Sequence, residues 1–300
     1  MDLVDAGTTG RAVALMDVEP EIAAGVPDEE LPLLRRHTAM PGLMLPAEPW
    51  SPPPARTLGA EPFALLLVDG LITRSVALSD RASTQLLGPG DLVTPWHDTD
   101  GLVPTVVEWR VNLPTLVAVL DERLLLAARR WPSVFRFVHD RLACQAARHA
   151  AHTAIAQLPR VDTRIMAILW HLAERFGRVT PDGVIVPLRL THEALGHLIG
   201  SQRPTVTLAL RELTDTGALQ RTPEGAWVLR EGTQVDLAPT ADAALPTPSV
   251  LPTAAPDEHA PRYRRDPPAP ALQESRRARE RSAALRRRVA EERAAGRLSG

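Results

Sequence analysis

Leu190-Thr191-His192-Glu193-Ala194-Leu195-Gly196-His197-Leu198-Ile199-Gly200-Ser201-Gln202-Arg203-Pro204-Thr205-Val206 decides the fold of this chain. Thr191 has the chemistry of an N-cap, and Leu195, Leu198 and Ile199 share one side of the helix it would start. Gly196 is small where a second helix must approach, and Gly200-Ser201 supplies a turn. A second helix is expected from about Gln202, with Pro204 in its first turn, where a missing N–H costs nothing. Val206, Leu210 and Leu213 give it a buried face, and Asp215-Thr216-Gly217 ends it. Residues 218–222 and 226–229, joined by Pro223-Glu224-Gly225, predict a two-stranded wing. The reading is a winged helix-turn-helix over residues 190–229.

That shape carries a chemistry. The exposed first turn of a second helix can enter the major groove of DNA. Here it offers Gln202, Arg203, Thr205 and Thr207 to base edges: arginine pairs bidentately with guanine, glutamine with adenine. The free N–H groups at a helix start suit a phosphate. Ser201, Arg211 and Arg221 are the candidates for contacts to the DNA backbone. Residues 162–236 hold 8 Arg against 9 acids, so binding rests on placed contacts.

Upstream, residues 162–176 predict a helix with Asp162 as N-cap and Gly177 just past its end. Ile165, Ile168, Leu169, Leu172 and Phe176 form its apolar stripe. Residues 179–188, turning at Pro181-Asp182-Gly183, predict a small hairpin. Residues 133–157 contain neither glycine nor proline and are rich in alanine and arginine. A long helix between two domains is often an interface helix. Phe137, Leu142 and Ala146 are its candidate dimer contacts; an amphipathic helix packed on its own domain is the competing reading. Residues 122–130 predict a shorter helix.

Residues 62–120 alternate short apolar runs with turns. Phe63-Ala64-Leu65-Leu66-Leu67-Val68 reads as a buried strand, Asp69-Gly70 as a hairpin turn, and Leu71-Ile72-Thr73-Arg74-Ser75-Val76 as its partner. Gly88-Pro89-Gly90-Asp91 marks a further turn, and residues 103–111 and 116–120 continue the pattern. A sandwich or β-roll is expected. Residues 41–54 are proline-rich and are not expected to continue a helix or a central strand. Residues 1–40 are acidic and aperiodic, which predicts loose packing. Residues 237–270 are rich in Ala, Pro and Thr and are expected to lack a core; 274–297 form a transient helix at most.

Composition narrows the function. The charge is −2 overall but uneven, with 4 Arg against 10 acids in residues 1–61 and 12 Arg against 5 acids in 262–297. The tail is basic enough to touch phosphate. All the basic residues are arginine. The single cysteine, Cys144, excludes an internal disulfide and a multi-cysteine zinc or iron–sulfur site. It reads as a small buried hydrophobe, with a redox sensor as the sharper alternative. No apolar run reaches the roughly 18 residues that span a bilayer. The first residues carry acids where a signal peptide carries bases, so a cytoplasmic protein is expected.

Catalytic patterns are lacking. His192-Glu193 has no second histidine at the spacing of a zinc-protease helix, and His197 is one position late. His149 and His152 stand three apart with no further ligands, and no phosphate loop or GxSxG elbow occurs.

The β-roll pattern, the long helix, and the motifs Leu190-Thr191-His192-Glu193-Ala194-Leu195-Gly196 and Gly200-Ser201-Gln202-Arg203-Pro204-Thr205-Val206 together resemble the Crp/Fnr family of bacterial transcription regulators. The likeness is specific over about residues 160–230 and diffuse over 62–160. It implies a homodimer through the 133–157 helix, a roughly twofold operator, a sensory β-roll, and Arg203 as the base-contacting arginine. Pro204 and Leu208 stand where many members carry Glu and a second Arg, so the half-site is this chain's own. Cyclic-nucleotide members hold the phosphate with an Arg-Ser or Arg-Thr pair; here Pro104-Thr105 follows Gly90-Asp91 without arginine. His97, His139, His149 and His152 leave haem open, each having a surface or packing role as the simpler reading.

The expectation is therefore an α+β chain. It has an acidic, loosely ordered segment (1–40), a cyclic-nucleotide-binding-like β-roll (41–130), a dimerisation helix (131–160), a winged helix-turn-helix (161–236) and a disordered basic tail (237–300). Its partners are double-stranded DNA, a second copy and RNA polymerase, with no cofactor, no metal and no membrane. The alternative is a protein-interaction module that keeps the fold without sequence-specific DNA binding.

Overall fold

In the computed structural model, residues 12–58, 62–97, 105–230 and 232–233 are described. The expectations for residues 1–11 and for the tail beyond 233 lie outside them. In chain order, strand β1 (Ala12–Ala14), helices α1 (Leu15–Val18) and α2 (Leu31–His37), and strands β2 (Ala39–Leu45) and β3 (Pro49–Trp50) lead into the roll. Strands β4 (Ala64–Leu78), β5 (Arg81–Leu87), β6 (Leu92–Val93) and β7 (Val106–Leu120) complete it. Helices α3 (Glu122–Arg130), α4 (Pro132–Ala156) and α5 (Val161–Phe176) follow, then strands β8 (Arg178–Thr180) and β9 (Gly183–Val186). Helices α6 (His192–Ile199) and α7 (Arg203–Asp215) and strands β10 (Leu219–Arg221) and β11 (Trp227–Leu229) finish the described chain.

The roll is antiparallel, in the order β1-β2-β7-β4-β5, with β3 on β7 and β6 on β4. Side chains of β4 alternate between two cores. Leu65 and Leu67 fill the roll interior with Leu45, Ile72, Leu87, Val93, Trp109, Val111, Val117 and Val119. Leu66 packs outward, under α3, α4 and the first segment of the chain. This two-sided burial is why the run 63–68 has no polar alternation.

Asp69-Gly70 is not a hairpin turn. β4 runs unbroken from Ala64 to Leu78 against β7, with register shifts between Leu67 and Ile72. Gly70 has φ +102 at this bulge, and a Cβ there would lie 2.2 Å from Thr115 Oγ1. That oxygen accepts from Leu71 N at 3.1 Å. A glycine with positive φ serves a bulge as well as a turn, and pairing to the distant β7 decides which. The chain reverses instead at Ser79-Asp80, where Leu78 pairs with Arg81.

Residues 12–40 are not loosely packed. Leu15, Ile22, Leu34 and Met40 are fully buried in the outer core. Trp131 Nε1 donates to Glu30 at 2.6 Å, and Arg141 pairs with Glu19. Burial raises the Glu19 pKa, opposed by Arg141. The roll thus begins near residue 12, not 41. Pro41 also lies in a strand: it pairs with Ala12 of β1, just before β2 passes to β7 at Gly42.

Two helix ends differ from expectation. α5 is capped by the backbone of Arg160, with Asp162 inside its first turn and paired to Arg160. Gly177 is extended, at φ −71, and is required for space: a Cβ would lie 2.3 Å from the Ala173 carbonyl oxygen. Strands β8 and β9 form the expected hairpin and also join the wing, giving the order β10-β11-β9-β8. Among the described residues no helix is long and apolar enough to cross a membrane.

Candidate DNA interface

The helix-turn-helix is set by local chemistry. Thr191 Oγ1 accepts from Ala194 N at 3.1 Å, capping α6. Gly200 ends it in the left-handed region, at φ 66 and ψ 36. A Cβ on Gly196 would stand 2.6 Å from the Ser201 carbonyl oxygen, so the turn closes only over glycine. Leu195, Leu198 and Ile199 of α6 and Val206, Ala209 and Leu210 of α7 are buried in one core with α5 and the wing.

This anchoring leaves the first turn of α7 exposed. Gln202, Arg203, Pro204 and Thr205 are all open to solvent, and no side chain caps the helix start. Its first N–H groups therefore remain free for a phosphate. Ser201 is half-buried in the turn. Thr207 is exposed but engaged: its hydroxyl donates to the Arg203 carbonyl and meets His192 Nδ1, both at 2.9 Å. That pair braces α6 against α7 and reduces the freedom of Thr207 to read a base.

Arg211 is exposed and only loosely paired with Asp215, at 3.8 Å, so little holds it from a phosphate. Arg221 stacks on Trp227 with its guanidinium carbon 5.0 Å from the ring centroid, which fixes its place on the wing. The sequence names Pro204, Leu208 and Arg211 separately; the structure brings them together at the centre of the outer face. Pro204, Leu208 and Arg211 follow one another at helical spacing, and Leu208 is 60% exposed. A leucine held in water on a helix otherwise well packed is the informative signal. Ser201, Gln202 and Arg203 also form one wall of a groove of about 880 Å³, whose other wall is the β4–β5 hairpin tip around Asp80 and Arg81.

The candidate dimer residues separate. Phe137 is 3% exposed, packed in the outer core beneath Arg141, and is not free for a partner. Leu142 is 48% exposed and Ala146 is exposed too. Phe135, 66% exposed and stacked on His139, continues their stripe. Helix α4 has two apolar faces, and the sequence alone did not say which one the roll takes. Cys144 is exposed, not buried.

The histidines weighed for haem have protein partners where their side chains are described. His139 bonds Asp140, His149 bonds Gln85, and His152 bonds the Leu198 carbonyl. Among the described residues no three His, Cys, Asp or Glu side chains gather as a metal site.

A β-roll, a long helix and a winged helix with an open recognition turn define a DNA-binding transcription regulator. Residues 163–231 match the Crp-like helix-turn-helix domain. The chain is 28% identical over 192 residues to the regulatory protein CysR of Synechococcus elongatus, covering 60% of this chain and 86% of that protein. It is 39% identical over 56 residues to the global nitrogen regulator of the same species, 19% of this chain and 25% of that one. Two solved structures share the fold. A CooA mutant from Carboxydothermus hydrogenoformans has TM-score 0.53 at 15% identity, covering 74% of this chain and 93% of that one. A cyclic nucleotide-binding domain containing protein from Listeria monocytogenes has TM-score 0.51 at 16% identity, covering 67% and 96%. Residues 163–231 thus carry a Crp-like helix-turn-helix domain, and the chain is similar to transcription regulators of the Crp/Fnr kind.

Proposed function

We propose that this protein binds a roughly twofold operator as a homodimer, reading each half-site with the first turns of α7. The observation that carries this is the open recognition turn: Gln202, Arg203 and Thr205 project while Val206, Ala209 and Leu210 anchor the helix. Arg203 takes a guanine edge, Gln202 and Thr205 flank it, and Ser201, Arg211 and Arg221 meet phosphates. The dimer forms along Phe135, Leu142 and Ala146 of α4, an exposed stripe at coiled-coil spacing. The roll does not take a cyclic nucleotide. Support comes from the missing arginine at Pro104-Thr105 and from an interior filled by its own side chains, Trp109 among them.

The test is operator selection from random duplexes, followed by binding at fixed salt. Arg203→Ala should cost about 1–3 kcal/mol per half-site and relax preference at one base pair. If the variant selects the same duplexes with the same affinity, α7 does not read sequence and the protein-interaction alternative is favoured.

A further inference from the structure

A cavity of about 70 Å³ lies where the roll meets the helices, outside the roll interior. Its walls come from β5, the turn before β6, α4, α5 and α6. Leu86, Leu87, Ile168, Leu172, Phe176 and Leu198 supply an apolar part of the lining, and the polar side chains gathered on the rest are mostly cationic or imidazole. Arg148, His149 and His152 come from α4, His171 and Arg175 from α5, and Gln85 from β5. The acid among them is Asp91, 1% exposed. It accepts from Arg148, Arg175 and Gly88 N. Glu174 pairs with His171 at 3.6 Å but is 77% exposed, on the outer side.

Two guanidiniums on one buried carboxylate leave a net positive charge beside three imidazoles. Asp91 and the Pro89 carbonyl use only part of the donors that two guanidiniums carry. Burial holds the His152 pKa below its usual value, with His149 and His171 pressing the same way. Such a group gains from an anion placed next to it. The volume takes several waters or one tetrahedral ion and is far too small for a nucleotide.

We propose that this cavity binds a small oxyanion, held by Arg148 and Arg175 with the imidazoles of His149, His152 and His171 around it. The ion would tie β5, α4 and α5 together at the junction between the roll and the DNA-binding domain.

The probe is sulfate, a dianion throughout the pH range used, with full-length protein and no DNA. The thermal midpoint is followed against sulfate concentration and compared with chloride at equal ionic strength. The expected result is a saturable surplus over chloride, with an apparent Kd several-fold tighter at pH 6 than at pH 8 as the anion draws a proton onto His152. Arg148→Gln should abolish the surplus. His149→Gln, at an exposed position that leaves the fold intact, should weaken it several-fold and keeps the test decisive if the arginine variant does not fold. A surplus equal in wild type and variants, a surplus independent of pH, or none, overturns the proposal. Since no DNA is present, that failure leaves the operator reading untouched.

Discussion

Asp91→Asn changes one atom type at the point where three parts of the chain meet. The Asp91 side chain is 1% exposed, against 37% for Arg148 and 21% for Arg175. The amide keeps an acceptor for Gly88 N but loses the charge that both guanidiniums answer. Removing one partner of a fully buried ion pair costs about 3–5 kcal/mol. Both arginines are partly exposed and recover some hydration, which lowers the expected loss to about 2–3 kcal/mol. For a folded unit of this size that corresponds to a fall in midpoint of about 4–12 °C.

The assay is urea and thermal unfolding of Asp91→Asn, Arg175→Gln and the double variant. The two single losses should overlap, because each removes the same interaction, giving a coupling of at least about 1 kcal/mol. A loss below about 0.5 kcal/mol for Asp91→Asn, or strictly additive losses, would refute the view that this carboxylate holds the turn, α4 and α5 together.

Leu142→Glu places a charge in the α4 stripe and should convert the proposed dimer to monomer at micromolar concentration by light scattering; a persistent dimer would place the interface elsewhere. Leu208→Ala should cost on the order of 1 kcal/mol on the selected operator. Replacing thymine by deoxyuridine in that operator should weaken the wild type but not Leu208→Ala, if Leu208 packs on a thymine methyl. His152 has its folded pKa below the unfolded value near 6.5, so the unfolded state binds the extra proton. Stability should therefore be full above about pH 6.5 and fall as the pH drops through that value; His152→Gln should flatten the decline measured by urea midpoints between pH 8 and 5.5.

The helix-turn-helix was legible because each device that makes it acts within a few residues. Thr191 caps the helix that starts at His192 by accepting from an N–H three residues ahead, and Gly196 and Gly200 serve the turn that follows. The roll was legible in kind but not in connection. Gly70 announces a positive φ, yet only pairing with β7, some 45 residues on, makes it a bulge. The first segment hid because each short element buries one or two side chains, such as Leu15, Ile22 and Leu34, too few to show a period. Phe137 and Leu142 lie on different faces of one helix, and burial alone tells them apart. The arginines of Asp91 stand 57 and 84 positions away, beyond any local pattern.

Charge decides how much the dimer must contribute. With 8 Arg against 9 acids in residues 162–236, the winged helix has no excess of positive charge to attract any duplex. Its affinity rests on a few contacts, each worth about 1–3 kcal/mol. One copy supplies Arg203, Gln202 and Leu208, about 3–9 kcal/mol together, which at ordinary contact strengths reaches only the lower half of a specific regulator's typical gap of about 4–10 kcal/mol over non-specific DNA. Two copies on a twofold site repeat the set and close that gap. In the proposed dimer, specificity therefore depends on the distance between two recognition turns. The α4 stripe sets that distance from one end and the Asp91 junction from the other. A variant that loosens either should lose discrimination between operators before it loses its fold.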